Sequence, residues 1–306
     1  MIKVFLRYPF SKDEVIRFQK LSPELCFQDR PDDETEIIIG SYRAEKLKEY
    51  PSLKWIQLSA VGYDRYIAKG ILKEGVLLTN AVDVHTQEVA EHVFAVMLMM
   101  IKNGQLYRDN QHRHIWRDEG KVKSFSELKV TIVGFGNIGN CFAKKCKALD
   151  MCVIGVKRKA IEKPAYLDEL YLSNELHKAI SDADVIISVL PGNKENEHLF
   201  DLDTFKAMKE DSIFINAGRG NLYSEETLRE VLDKKIIKAV AADVFAQEPL
   251  PQDSDLWDYP NLYITPHAAG NFHLKIAHET FVELVEENLK RYIGHQELKH
   301  LVTDRE

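Results

Sequence analysis

The chain has 306 residues, 45% apolar and 29% charged, with a formal net charge of −7. That length exceeds one ordinary core and suits two domains, and the acid excess offers no general basic field for nucleic acid or an anionic membrane surface. Cys26, Cys141, Cys146 and Cys152 form no C-x-x-C pair or metal-ligand spacing, and no apolar run approaches the ~20 residues needed to span a bilayer.

The N-terminus opens like a strand and carries no signal-peptide pattern, so the expectation is a reducing, cytoplasmic setting. Cys141 and Cys146 fall in an apolar helical pattern, where a thiol behaves as a small buried hydrophobe.

In chain order, β-branched and aromatic runs at 3–8, 25–27, 36–39, 55–59 and 76–79 predict five strands. Residues 87–107 then predict one apolar helix, with no Pro and a Gly only near its end. A second set of runs, 130–133, 153–156, 185–190, 212–216, 237–241 and 262–265, predicts six more strands. The last long helix is expected over 277–292, where Phe281, Val282, Leu284, Val285 and Leu289 keep helical spacing. Strands alternating with helices imply parallel sheets with crossover connections, so both sets read as doubly wound α/β domains. The tail 298–302 is apolar enough to be buried, which predicts that the chain returns to the first unit. The expected domains are therefore 1–84 with 271–306, and 85–270, with soft boundaries near Asp83 and Gly270.

The first chemical motif lies between a β-branched run and a helical stretch. Gly134, Gly136 and Gly139 fall in GFGNIG, with Asn137 and Ile138 between the last two glycines. The first glycine permits a tight turn, the second lets a pyrophosphate approach the backbone, and the third packs helix closely on strand. Amide groups at the helix start then hold the anion.

Three later segments belong with it. IFINAGRGNL places Arg219 directly after a strand, with Ala217 two residues before it. VAADVFAQEPLP places Asp243 at a strand end with Glu248 beyond, and LYITPHAAG places His267 just past the last strand. In open α/β sheets ligands bind at the carboxyl ends of strands, so these side chains share one rim.

With GFGNIG, NAGRG, DVFAQEPLP, ITPHAAG and Val89-Ala90-Glu91-His92 in this order, the chain resembles the D-2-hydroxyacid dehydrogenase family over nearly its whole length. That family includes phosphoglycerate dehydrogenase and glyoxylate/hydroxypyruvate reductase. The resemblance implies a Rossmann NAD(P)-binding domain over 85–270 and a flavodoxin-like substrate domain over 1–84 with 271–306. It implies catalytic Arg219, Glu248 and His267, with Asp243 near the nicotinamide. It also implies a homodimer through the nucleotide-binding domain, with the helix from Gln87 as the candidate surface. Transcriptional corepressors share this fold, so a nicotinamide-sensing regulator is the alternative to an enzyme.

The chemistry asks for the same residue types. Reducing a 2-oxo acid needs a proton donor at the carbonyl oxygen as hydride reaches the carbon, and histidine suits that task near neutral pH. A carboxylate neighbour such as Glu248 favours the imidazolium and orients the ring. Arg219 can bind a carboxylate or polarise a carbonyl through its rigid donor fork.

After the run at 55–59 comes Ser59-Ala60-Val61-Gly62-Tyr63-Asp64, which looks like the family's S-x-G-x-D loop. Carried over, Val61 and Gly62 are the substrate-binding amide donors. Tyr63 either lines the pocket or simply packs. Two departures stand out: SFSELKVTIVG lacks the family's L-x-G-K-T before the glycine loop, and HAAG replaces the commoner H-I-G or H-I-A.

Cofactor choice is read from the strand after the loop. An NAD-preferring fold ends it with Asp or Glu about 20 residues past the glycines, whereas this chain has Lys157, Arg158 and Lys159. A 2′-phosphate suits such a cluster and an aspartate would repel it, so NADP(H) is expected in preference to NAD(H). Pro191, just after the run 185–190, together with Ala217, Asp243 and His267, completes the expected cofactor set. His112 and His114 are expected to face solvent, and no metal is expected.

Overall fold

The computed structural model describes residues 1–68 and 70–303, and the chain divides into two compact units. The first comprises Met1–His85 together with the chain from Phe272 onward, and the second is Thr86–Asn271.

In the first unit come β1 (Ile2–Leu6), α1 (Lys12–Gln19), β2 (Leu25–Gln28), β3 (Ile37–Ile39), β4 (Trp55–Gln57) and β5 (Leu77–Thr79). Ser11 starts α1 through a capping box, its hydroxyl accepting from the Glu14 amide while Glu14 accepts from the Ser11 amide. Among the described residues these strands form a five-stranded parallel sheet in the order β2-β1-β3-β4-β5. Adjacent side chains alternate between its faces, as the strand pleat requires. Val4, Ile37 and Trp55 pack on one side with Phe18, while Phe5, Ile38 and Ile56 pack on the other with Leu78 and Val302.

The second unit begins with α2 (Thr86–Ile101) and α3 (Gly104–His112). The sequence predicts one helix here, but Asn103 adopts φ 56° and breaks it. Asn103 is held in that left-handed conformation by its side chain, which donates to the Glu119 carbonyl. There follow β6 (Lys129–Val133), α4 (Asn137–Lys147), β7 (Cys152–Lys157), β8 (Glu169–Leu172), α5 (Leu176–Ile180), β9 (Val185–Ser188), α6 (Leu202–Lys206), β10 (Ile213–Asn216), α7 (Glu225–Asp233), β11 (Ala239–Ala242) and β12 (Leu262–Ile264). The sheet is parallel, with the order β12-β11-β10-β9-β6-β7-β8. Among the described residues its seven strands exceed the six expected by β8, an edge strand. Its ELYL lacks a buried apolar run, which an edge position does not require.

The order reverses between β6 and β9: the chain adds β7 and β8 on one side of β6 and β9 to β12 on the other, the arrangement of a doubly wound dinucleotide fold. The core fills both faces, with Val130, Ile132 and Ile187 against Met97 and Phe142, and Val133, Ile154 and Ile186 against Phe205, Phe214 and Leu228.

The chain then re-enters the first unit as α8 (Lys275–Ile293), whose Phe281 and Val285 lie in the core beside Trp55. A buried polar network fastens this return. The Asn288 amide donates to Gln57 Oε1 at 2.8 Å and accepts from the Lys299 amide at 2.8 Å, while Gln57 also accepts from Thr79. Leu298 and Val302 are buried and Leu301 bridges antiparallel to Thr79, so the apolar tail packs as its sequence predicts. Cys146 is buried, which pushes its thiol up, whereas Cys141 is only half-buried.

Candidate active site

All strands of the second sheet are parallel, so their carboxyl ends share one edge. The segments singled out in the sequence leave from that edge. After β6, Gly134 takes φ 100°, and a β-carbon there would press on the backbone of Val189 at 3.1 Å. At Gly139 a β-carbon would meet the Gly134 carbonyl oxygen at 2.8 Å, so helix α4 can lie against its strand only without a side chain. At Gly136 a β-carbon meets nothing within 4 Å and would point into open space before the helix. Backbone exposed there, with the first turn of α4 at Asn137, Ile138 and Gly139 behind it, fits a pyrophosphate.

After β10, the segment around Arg219 is fixed by its neighbours. Asn216 donates to the Arg219 carbonyl at 3.0 Å and accepts from the Gly218 amide at 3.1 Å. A β-carbon on Gly218 would lie 2.5 Å from the Leu190 carbonyl oxygen, and one on Gly220 would lie 1.9 Å from the Phe245 carbonyl carbon. Glycine on both sides of Arg219 is thus a packing requirement. The side chain is half-buried, its Nη1 donating to the Gly218 carbonyl, with Gly192 against its methylenes.

The loops after β11 and β12 meet at His267. Its Nδ1 lies 2.7 Å from Glu248 Oε2, and Glu248 Oε1 accepts from the Phe245 amide at 3.0 Å. His267 has φ 50°, with its amide donating to the Asp243 carbonyl at 2.8 Å. The His267 and Glu248 side chains keep 48% and 35% of their surface, enough for a small molecule to reach the ring.

Asp243 is 5% exposed and faces inward: it accepts from the Thr265 hydroxyl at 2.5 Å and from the amides of Ala268 and Ala269. Its carboxylate therefore clasps the loop that carries His267. His92 of α2 reaches the same clasp, 3.3 Å from the Thr265 hydroxyl. The sequence motif contained His92 without suggesting this placement; only the Asp243-to-Thr265 pairing across two strands could have done so.

At the end of β7, Lys157 occupies the position of the missing acid, but its ammonium turns back to donate to the Phe135 carbonyl in the glycine loop at 2.9 Å. Arg158 and Lys159 stay exposed, and Arg158 pairs with Glu195. Pro191 is exposed after β9, where its carbonyl accepts from the Asn196 side chain at 2.8 Å. Ala217 is half-buried, its amide donating to Ser188. His112 and His114 are exposed as expected, and among the described residues no group of three His, Cys, Asp or Glu is placed to hold a metal.

In the first unit, the loop after β4 is oriented by its carbonyls. The Ala60 carbonyl accepts from the Ala81 amide at 3.0 Å and the Val61 carbonyl from the Asn80 side chain at 2.9 Å. In a trans peptide the next N–H points opposite to the carbonyl, so the Val61 and Gly62 amides are directed away from these partners. Tyr63 packs on the Phe5 and Ile38 face of the sheet.

A glycine phosphate loop, a doubly wound sheet and a carboxylate-paired histidine on one edge define a nicotinamide-dependent oxidoreductase. Residues 94–269 match the family model of the D-isomer specific 2-hydroxyacid dehydrogenase NAD binding domain. A probable 2-ketogluconate reductase of Dictyostelium discoideum is 32% identical over 72% of this chain and 67% of its own length. The crystal structure of a D-isomer specific 2-hydroxyacid dehydrogenase family protein from Aeromonas salmonicida superposes with a TM-score of 0.85, at 30% identity and 98% coverage of both chains. That of an NADPH-dependent glyoxylate/hydroxypyruvate reductase from Sinorhizobium meliloti, bound to NADP and sulfate, gives 0.82 at 25% identity, covering 99% and 98%. The chain belongs to the D-2-hydroxyacid dehydrogenase family, and it is an NAD(P)-dependent enzyme of that class.

Proposed function

We propose that the chain reduces a small 2-oxo acid to its D-2-hydroxy acid and prefers NADPH to NADH. The observation that carries this is the 2.7 Å pair of His267 and Glu248 on the sheet edge that also bears the glycine loop. Bound NADPH supplies the hydride. Gly134, Gly136, Asn137, Ile138 and Gly139 hold its pyrophosphate, with Pro191, Ala217 and Asp243 along the same edge. Glu248 engages Nδ1 of His267, leaving Nε2 to give its proton to the substrate carbonyl oxygen. Arg219 polarises that oxygen through its donor fork. The outward amides of Val61 and Gly62 take the substrate carboxylate, which makes the first unit the substrate domain and the second the dinucleotide domain.

The basic end of β7 supports the NADPH preference. Lys157 braces the glycine loop, while Arg158, helped by Lys159, neutralises the 2′-phosphate. The relative from Sinorhizobium meliloti is NADPH-dependent, in keeping with this reading. The test is steady-state turnover of glyoxylate, hydroxypyruvate, pyruvate, phosphohydroxypyruvate and a branched 2-oxo acid, each with NADPH and with NADH. Turnover with NADPH ahead of NADH supports the proposal. Equal kcat/KM for the two cofactors removes the preference, and no turnover of any of these acids would overturn the substrate class.

A homodimer through the second unit is part of the same reading. Tyr107, Ile115 and Trp116 are exposed on and after α3 and line a concavity of about 640 Å³, with Val122 exposed further along the chain. Apolar surface of this kind is characteristic of protein contacts. Sedimentation at twice 35.2 kDa is expected, and a monomer would remove the claim. Among the described residues no helix is long and apolar enough to cross a membrane, and the four cysteines are unpaired, which suits a reducing cytoplasm.

A further inference from the structure

We propose that Glu195 is a specificity-determining residue, competing with the cofactor's 2′-phosphate for the Arg158 guanidinium and so limiting the advantage of NADPH over NADH. The inference rests on the reading of Arg158 as the 2′-phosphate group.

The two side chains come from different segments of the same sheet edge. Arg158 follows β7 and Glu195 lies in the short turn after β9, with Nη1 and Oε2 2.5 Å apart. The turn is braced at both ends. The Asn193 side chain accepts from the Asn196 amide at 3.0 Å, and the Asn196 side chain donates to the Pro191 carbonyl at 2.8 Å. Glu195 is therefore presented by a fixed backbone and not by a trailing loop.

Three cations, Lys157 at the end of β7 and Arg158 and Lys159 just after it, are not equivalent. Lys157 is committed to the Phe135 carbonyl, so the exposed charge rests with Arg158 and Lys159. Arg158 alone has the planar fork that grips a phosphate at two points. Glu195 takes one end of that fork, Nη1, so a phosphate that grips it at two points competes with the carboxylate for that donor. NADPH must displace Glu195 and leave two anions near one another. NADH brings no 2′-phosphate and can leave the pair intact.

Solvent limits the size of the effect. The side chains keep 64% and 66% of their surface, and pairs this exposed contribute only modestly. Removing the competing charge should tighten NADPH by about two- to fivefold, less as salt screens the pair.

The experiment measures dissociation constants of NADPH and NADH by nicotinamide fluorescence for the wild type, Glu195→Gln, Arg158→Ala and the double variant, at low and high ionic strength. Glu195→Gln should tighten NADPH about two- to fivefold, leave NADH within about twofold, and have a clearly smaller effect once Arg158 is alanine, where only the repulsion between the two anions remains. If Arg158→Ala weakens NADPH while Glu195→Gln changes nothing, or tightens both cofactors equally, the role of Glu195 is overturned and that of Arg158 stands. If Arg158→Ala leaves NADPH binding unchanged, the reading of the basic run fails and the inference fails with it.

Discussion

His267 Nδ1 lies 2.7 Å from Glu248 Oε2, and the other oxygen of Glu248 accepts from the Phe245 amide at 3.0 Å. The carboxylate is thus fixed by backbone before it meets the ring, and the ring is fixed in turn, with Nε2 on the side of the ring away from Glu248.

Glu248→Gln keeps the shape but removes the charge and can pair with the wrong imidazole tautomer. Loss of such an orienting anion should lower kcat by roughly 10²–10⁴. KM for NADPH should stay within about twofold, because the glycine loop is untouched. Steady-state kinetics checks this, and a kcat close to wild type would remove Glu248 from the machinery.

Much of this site was legible in the sequence, for a physical reason. A glycine with no room for a β-carbon and a polar side chain at a strand end are local facts, and NAGRG and ITPHAAG carry both. The inward turn of Asp243 was not legible. It depends on the Thr265 hydroxyl and the amides of Ala268 and Ala269, which register between β11 and β12 brings to it. The break at Asn103 was readable from the turn pair Asn103-Gly104 but was masked by the long apolar helix before it, and β8 was missed because an edge strand can be half polar. Lys157 shows the same limit at one residue: its place was readable, its turn back to Phe135 was not.

Arg219→Lys tests geometry against charge. Lysine keeps the cation but loses the rigid fork, and the flanking glycines hold the backbone where it is. We expect kcat/KM for the 2-oxo acid to fall by roughly 10²–10³, the scale for losing one transition-state donor, while the melting temperature stays unchanged. Full activity in Arg219→Lys would reduce the residue to a point charge.

Stability should depend on Asp184, immediately before β9. Burial raises its carboxyl, but hydrogen bonds from Lys123 and Lys209 and from the Lys129 amide outweigh that and hold it below the usual carboxylate range. A carboxyl depressed in the folded state stabilises the fold above its unfolded pKa, and that contribution is lost as pH falls through the folded value. Asp184→Asn should therefore cost about 1–3 kcal/mol at neutral pH. The gap from wild type should close on acidification below the ordinary aspartate range. Denaturant melts across pH check the sign; a gap that widens in acid would refute it.

The most direct test compares wild type with His267→Ala for NADPH consumption with a 2-oxo acid that the wild type turns over, alongside NADPH binding by fluorescence. A general acid contributes roughly 10²–10⁴ in rate, so kcat should fall by that factor. The NADPH dissociation constant should remain within about twofold, since His267 stands apart from the glycine loop in sequence and strand. A folded His267→Ala protein with unchanged kcat would contradict the account.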